Sequence, residues 1–451
     1  MKRLLPVLTI LLLLPVVSFA QDDDCSTMVE NVVSDVARQC ADIAPGEACF
    51  GYPGIEVTTS HEMPAFEASG DKLALDKTCC MRLSPMRAPD EWGIAMMEIQ
   101  PDTGEHSLTY ALFGEVQIQN AASFFTELEI RVESDTAVYA GPGSHYDALA
   151  TVTAGDVMHA NACNCTQNWL RVRLETGDIG WVPAGRVTIL GEVDSLPMAD
   201  QDTPVYAAMQ AFTFESSSQH PACESAPENG ILVQAPAEAP DTRVWVNGVD
   251  MTITAGATLF FQAEPGTEFG IEVLAGNVTL TVEDETVTAP PGVRVSIPLS
   301  SGYTPDGHMT VVPYALSDIE YLPLALLPQV IDPAAALSDP TPLIIGQRIC
   351  NVVSDLGEMA CALHFVNQDG DPITSLAAEF LYAPQGEWEG SVHESPEIIE
   401  GDTVSGDLAW DVSCSLGGAN FIGPVVWSIT VTDAAGHVSP PFEASFNCVD
   451  G

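Results

Sequence analysis

Apolar and polar residues alternate with a period of two along much of this chain. Val278, Leu280 and Val282 share one face of an extended segment, and Thr279, Thr281 and Glu283 share the other. Val293, Val295 and Ile297 repeat the pattern, which predicts half-buried β-strands across residues 244–299. Ile94–Ile99 and residues 108–118 flank Pro101-Asp-Thr-Gly104, a turn composition that predicts a hairpin. One stretch keeps helical spacing instead. Val29, Val32, Val33, Val36 and Cys40 recur on one face, entered by Thr27-Met-Val-Glu30, a capping box.

These periods predict a mainly β, multidomain protein that begins with an α+β domain over 21–125. Short alternating strands are expected across 128–190, with Val138, Leu149 and Val152 on them and Gly141-Pro-Gly143 supplying a tight turn. Residues 191–240 are rich in Pro, Ala, Ser and acidic groups, as a linker would be. A β-domain over 241–300 follows, then a proline-punctuated connector over 301–342 that packs aliphatic side chains on its neighbours. The last segment, 343–451, predicts a β-sandwich.

The first twenty residues form a secretion signal. Lys2 and Arg3 precede an apolar run from Leu4 to Val17, and Ser18-Phe-Ala20 gives a cleavage site. That run holds Pro6 and Pro15 and is short of the roughly 20 residues needed to span a bilayer. The expected product is secreted, without an integral membrane span in the mature chain. Losing Lys2 and Arg3 takes the formal charge from −49 to −51, with 63 acidic residues in the chain. Such a surface repels phosphate backbones, so nucleic acid is excluded as a partner.

Twelve cysteines in an exported chain read as disulfides. They fall into groups of five (Cys25, Cys40, Cys49, Cys79, Cys80), three (Cys163, Cys165, Cys223) and four (Cys350, Cys361, Cys414, Cys448). Two odd groups force at least one bridge between regions if every thiol is oxidised. Cys25 and Cys40, at opposite ends of one helix, would stand about 22 Å apart at 1.5 Å per residue. A disulfide needs Cα atoms within about 7 Å. Cys40 is therefore expected to meet Cys49 across Pro45-Gly46, leaving Cys25 for a distant partner. Zinc spacing is absent from Cys79-Cys80 and Cys163-Asn-Cys165, so no metal is expected.

Two blocks, Val138-Tyr-Ala-Gly-Pro-Gly-Ser-His-Tyr146 and Trp169-Leu-Arg-Val-Arg-Leu-Glu-Thr-Gly-Asp-Ile-Gly-Trp-Val182, resemble the bacterial SH3-like (SH3b) domain. The resemblance implies a barrel that holds peptide or glycan. Tyr139 stands where an arginine often precedes the turn in that family, and Cys163-Asn-Cys165 occupies a loop that usually lacks cysteine. Cys49-Phe-Gly51, Trp92-Gly-Ile-Ala-Met-Met97 and Leu112-Phe-Gly-Glu-Val116 resemble the leader region preceding SH3-like domains in large secreted bacterial proteins. Val273-Leu-Ala-Gly-Asn-Val-Thr-Leu280 with Pro291-Gly292 resembles the extracytoplasmic β-domain of FecR-type proteins. The segment from Val425 to Ser439, with Asp433–Gly436 as its turn, resembles the final hairpin of bacterial immunoglobulin-like domains. There Cys414 and Cys448 would cross-link strands, and Cys350 and Cys361 would do so across one hairpin.

No catalytic constellation emerges. The nine histidines are scattered, and neither H-E-x-x-H nor H-x-H spacing occurs. Ser144 lacks the G-x-S-x-G elbow of a hydrolase. Asn367-Gln-Asp-Gly-Asp371 has too few regularly spaced oxygens for a Ca²⁺ loop and reads as a turn. No cofactor is expected. The candidate ligand contacts are the aromatics Tyr139, Tyr146, Trp169 and Trp181, whose faces can stack on sugar or peptide; the two tryptophans also match positions that fill the barrel. The expected function is non-catalytic binding of cell-wall peptide, glycan or a surface protein. The alternatives are an envelope assembly protein using all its modules for protein contacts, and a cryptic hydrolase in 21–125.

Overall fold

A computed structural model describes residues 22–448, apart from 60–67, 87–91, 102–105, 123–127, 175, 177, 192–195, 197, 202, 222, 224, 284, 338–340, 342, 348–350, 353–357, 368, 383–390, 395–396, 414, 417–418 and 421–422. The expected signal over 1–20 lies outside the described residues, as do Cys350, Cys414 and the Pro101–Gly104 turn beyond its first residue. The protein is mainly β with several sheets. No helix among the described residues is long and apolar enough to cross a membrane.

Two large sheets face one another. One has nine strands in the order Thr310–Pro313, Val293–Pro298, Glu268–Ala275, Thr258–Glu264, Gly230–Gln234, Leu108–Phe113, Ile94–Ile99, Glu47–Tyr52, Lys72–Ala74. The other runs Ile55–Thr59, Thr78–Leu83, Val116–Asn120, Ala211–Ser216, Thr242–Val246, Val249–Ile253, Val278–Val282, Glu285–Ala289. It continues through Leu343–Gln347, Glu358–Val366, Ser405–Ser413 and Ile398–Gly401. Segments 21–125 and 241–300, expected as separate domains, therefore interleave their strands in both sheets. Their shared core includes Met97, Leu112, Val233 and Phe261 from one sheet, and Met81, Ile118, Phe214 and Leu280 from the other.

The alternate residues Met96, Ala111, Leu232 and Phe260 point to the opposite face of the nine-stranded sheet. There they meet Val29, Val32, Val33 and Val36 of the helix Asp22–Gln39, together with Tyr314, Ile319, Leu322 and Leu326 of the proline-rich connector. Burial on both faces explains why Leu108–Phe113 and Gly230–Gln234 are buried at every position. It also corrects the linker reading of 191–240. Gly230–Gln234 and Ala211–Ser216 are interior strands, and a five-residue strand covered on both faces shows no alternation against its proline- and alanine-rich flanks.

Two boundaries shift for local reasons. The helix begins by Asp22, so Thr27 lies within it rather than capping it. The apolar run 108–118 is two strands, because Gly114 turns the chain with φ +79° and its missing Cβ leaves room for the Asn229 carboxamide. Leu108–Phe113 then enters one sheet and Val116–Asn120 the other.

Residues 128–190 are inserted between two neighbouring strands, Val116–Asn120 and Ala211–Ser216, which pair directly from Val116↔Ser216 to Asn120↔Phe212. Asn120 fastens the exit and the return. Its Oδ1 accepts from the Ala122 and Met209 amides, and its Nδ2 donates to the Thr78 carbonyl. The insertion is a seven-stranded sheet in the order Ala148–Val152, Thr136–Tyr139, Ile179–Pro183, Trp169–Arg173, Val157–Cys163, Leu128–Val132, Val187–Ile189. It encloses its own core of Ile130, Val138, Leu170, Val172 and Val182.

In the last segment, Ser391–Glu394, Ile373–Tyr382, Gly423–Asp433 and Phe442–Cys448 form a separate four-stranded sheet. It packs through Phe380, Trp427 and Ile429 on Leu363, Phe365 and Trp410 of the long sheet. The turn at Asp433–Gly436 forms with Gly436 at φ +92° and its amide on the Asp433 carbonyl. The Asp433 carboxylate accepts from both the backbone and the ring of His437, which holds it below its ordinary range despite burial.

Candidate functional site

Cysteine placement fixes which side chains can be reactive. Cys40 is bridged to Cys49 and Cys25 to Cys223, the latter across 198 residues of sequence. The helix is thus tied at both ends, and the bridge between the odd cysteine groups runs to the segment after the insertion. Cys361 is also disulfide-bonded. Cys79, Cys80, Cys163 and Cys165 are thiols, unlike the disulfides expected for them. Cys163 is buried, with its sulfur 3.9 Å from the Leu196 carbonyl, and Cys165 is exposed.

The four candidate aromatics separate. Tyr139, Trp169 and Trp181 lie on one face of the inserted sheet, because Trp181 is in register with Tyr139 and with Arg171, two residues from Trp169. Tyr139 and Trp169 meet edge to face at 5.6 Å between ring centroids. Tyr146 sits apart, beneath the turn, with its ring where a Gly141 side chain would stand. Trp181 is covered, at 2% exposure, by Ala162 and Ala199. The chain leaving the insertion runs across this face. Met198 bridges Cys163, and the buried Arg171 guanidinium donates to the Thr203 carbonyl and the Asn161 side chain. The aromatic face is therefore largely occupied by the protein itself, with Tyr139 and Trp169 half-buried at its rim.

The open concavity of the insertion lies elsewhere. A groove of about 740 Å³ is bordered by Leu149, Val152, Val157, His159, Arg173 and Asp178. One wall is the strand Ala148–Val152, which ends the seven-stranded order and pairs with Thr136–Tyr139 along one edge. The ladder skips from Ala148 to Ala150, and the extra residue, Leu149, is 45% exposed. Val157 across the groove is 51% exposed. Two exposed aliphatics thus lie beside the end strand of the sheet, and such an edge carries backbone groups without a strand partner.

Titratable clusters lie in the large sheets. His364 places Nε2 2.9 Å from Glu285 Oε1 and Nδ1 against Asp407 Oδ1, and all three residues are buried. Strand pairing brings them close: His364 pairs with Asp407 and with Gly346, and Gly346 with Val287, two residues from Glu285 on the same strand face. Gly346 lets the imidazole cross the intervening strand, since a Cβ there would stand 3.2 Å from the ring. Glu285 Oε2 accepts the Met309 amide at 3.1 Å and faces His308 at 3.4 Å. The ring of His364 thus bridges two buried carboxyl groups that come from strands on either side of it. Sequence reading could not find this trio, because its members are scattered among unremarkable strands. Among the described residues, no group of three or more His, Cys, Asp or Glu is arranged to hold a metal ion.

A second buried ion set sits on Glu268–Ala275. Arg294 lies flat over Gly270, between the carboxylates of Glu268 and Glu272. Burial pushes the Glu272 carboxyl up to about 7, although Arg294 opposes this, and Glu272 Oε2 finds no hydrogen-bond partner among the described residues. The native chain thus keeps this proton where the unfolded chain has lost it. The group's contribution to stability is full below about 4.5 and is lost as pH rises through 7. Between those values the loss is about 3 kcal/mol. In guanidinium titrations at pH 5 and pH 8, the stability difference between wild type and Glu272→Gln is expected to shift toward the variant by that amount. An unchanged difference would show that Glu272 ionises in the fold as it does in water.

No protein-family model matches this chain, and no curated protein matches it.

Proposed function

We propose that the chain is an exported, non-catalytic binding protein whose inserted SH3-like module engages an extended peptide of the cell wall or of a surface protein. The observation that carries this reading is the groove beside Ala148–Val152, where an open strand edge meets the exposed Leu149 and Val157. Backbone pairing along an edge supplies affinity for a peptide without requiring one sequence, and the two aliphatics supply apolar anchors. A glycan would instead favour the aromatic rim at Tyr139 and Trp169, beside which Ala199 and the Thr203 carbonyl already occupy the face. The FecR-like and immunoglobulin-like regions would act as the rigid body that presents the module.

Pull-downs with intact peptidoglycan, its stem peptides and polysaccharides separate these versions. Wild type is expected to hold the peptides. Leu149→Asp/Val157→Asp should weaken retention at least about tenfold, since each buried aliphatic is worth roughly 1.5–3 kcal/mol. Tyr139→Ala/Tyr146→Ala should keep most of it. Loss confined to the tyrosine variant would move the site to the aromatic rim, and equal negligible retention by all three proteins would remove the binding reading. An envelope assembly role is the second reading. It is favoured by the way the module's own aromatic face is already engaged in internal contacts, and partner capture with no peptide or glycan affinity would support it.

A further inference from the structure

We propose that Cys79 and Cys80 form a built dithiol that closes to a reversible vicinal disulfide by exchange with a small-molecule disulfide. Side chains of adjacent residues in a regular strand point to opposite faces, so sequence neighbours there cannot reach one another. Here the ladder slips. Thr58 pairs with Cys80 but Thr59 pairs with Thr78, leaving Cys79 as the additional residue of a β-bulge. Burial records the same slip independently. Counting back from Leu83, strict alternation would point Cys79 inward and Thr78 outward. Instead Thr78 is buried at 1% and both cysteines are half-buried. The two thiols thus share the outer face, with their sulfurs 2.7 Å apart.

The exchange balances without further reagents. The Cys79 thiolate attacks RS–SR, forms Cys79–S–SR and expels RS⁻. Cys80 then gives up its proton, attacks the Cys79 sulfur and expels the second RS⁻. Two protein thiols lose two electrons in total, and one small disulfide becomes two thiols. Burial, reinforced by the neighbouring Cys79, pushes the Cys80 thiol up to about 12, which disfavours Cys80 as the first attacker. Disulfides usually join Cα atoms about 4.4–6.8 Å apart, whereas consecutive residues are separated by about 3.8 Å. Cys40–Cys49 and Cys25–Cys223, at 5.7 and 6.2 Å, fall inside the usual range. The vicinal ring is therefore the strained bridge, and it reopens before Cys40–Cys49 and Cys25–Cys223.

Lys77 and Arg82 flank the pair, so trypsin releases residues 78–82 with both cysteines and no others. The full chain would be treated with oxidised glutathione, quenched with iodoacetamide and mapped without reduction. The expected peptide is lighter by two hydrogens, carries no alkyl group, and regains both thiols at a dithiothreitol concentration that leaves Cys40–Cys49 and Cys25–Cys223 intact. A Cys80→Ser variant should stop at one glutathione on Cys79. Alkylation of both thiols, two glutathione adducts on one peptide, or a link from either residue to a third cysteine would overturn the assignment.

Discussion

Replacing Cys223 by serine is expected to lower stability by roughly 5 kcal/mol, the largest loss from removing either of the two paired bridges. The Cys25–Cys223 bridge closes 198 residues. Cross-linking a loop of that length removes chain entropy from the unfolded state worth roughly 5 kcal/mol at 25 °C. Cys40–Cys49 closes only nine, for which the same relation gives about 3 kcal/mol. The native side of the balance points the same way. Cys25 joins the start of Asp22–Gln39 to the segment that feeds Gly230–Gln234, an interior strand buried at all five positions. Without that bridge, the helix retains its valine face and the Cys40 tie. Cys25→Ser should match Cys223→Ser, and the double variant should add nothing. Guanidinium midpoints for the three variants and for Cys40→Ser/Cys49→Ser would test the order. A larger loss from the short bridge would refute the entropic account.

The cross-region bridge is readable in the sequence because cysteine parity and helix length are arithmetic. Five and three cannot be paired internally, and Cys25 cannot reach Cys40 along a helix. The same arithmetic fails for Cys79 and Cys80, because it assumes full oxidation and gives no sign of the bulge that brings the sulfurs together. Strands with one covered face are equally plain. Val278, Leu280 and Val282 are buried, and Thr279 and Thr281 hydrogen-bond across the open face to Thr288 and Thr286.

Strands covered on both faces are not plain. Ile231, Leu232 and Val233 are each fully buried, with successive side chains in two different cores, so no period distinguishes them from a short apolar patch in a linker. Interleaving of 21–125 with 241–300 hinges on Gly114 and Asn229, which lie more than a hundred residues apart in sequence. Of the aromatic candidates, Tyr139, Trp169 and Trp181 share a face through strand register, which the sequence blocks imply, while Tyr146 stands outside it under the turn. Coverage of that face by Ala199 and Thr203 depends on the path of the chain after the module, for which neither residue gives a local cue.

The Glu285–His364–Asp407 trio gives the second large expected effect. His364→Leu should cost about 3–5 kcal/mol, because it removes the ring that bridges two buried carboxyl groups. The loss should fall on the seam where Glu285–Ala289 pairs with Leu343–Gln347, through which the final sheets continue from the long one. If desolvated charge is the cause, removing it should restore stability. Glu285→Gln/His364→Leu/Asp407→Leu should then be more stable than His364→Leu alone, with the carboxamide introduced at position 285 still able to accept the Met309 amide that Glu285 holds now. Chemical denaturation of the two variants separates the possibilities. A triple variant less stable than the single one would mean that the imidazole acts through packing beside Gly346, and that the carboxylates are satisfied by other partners.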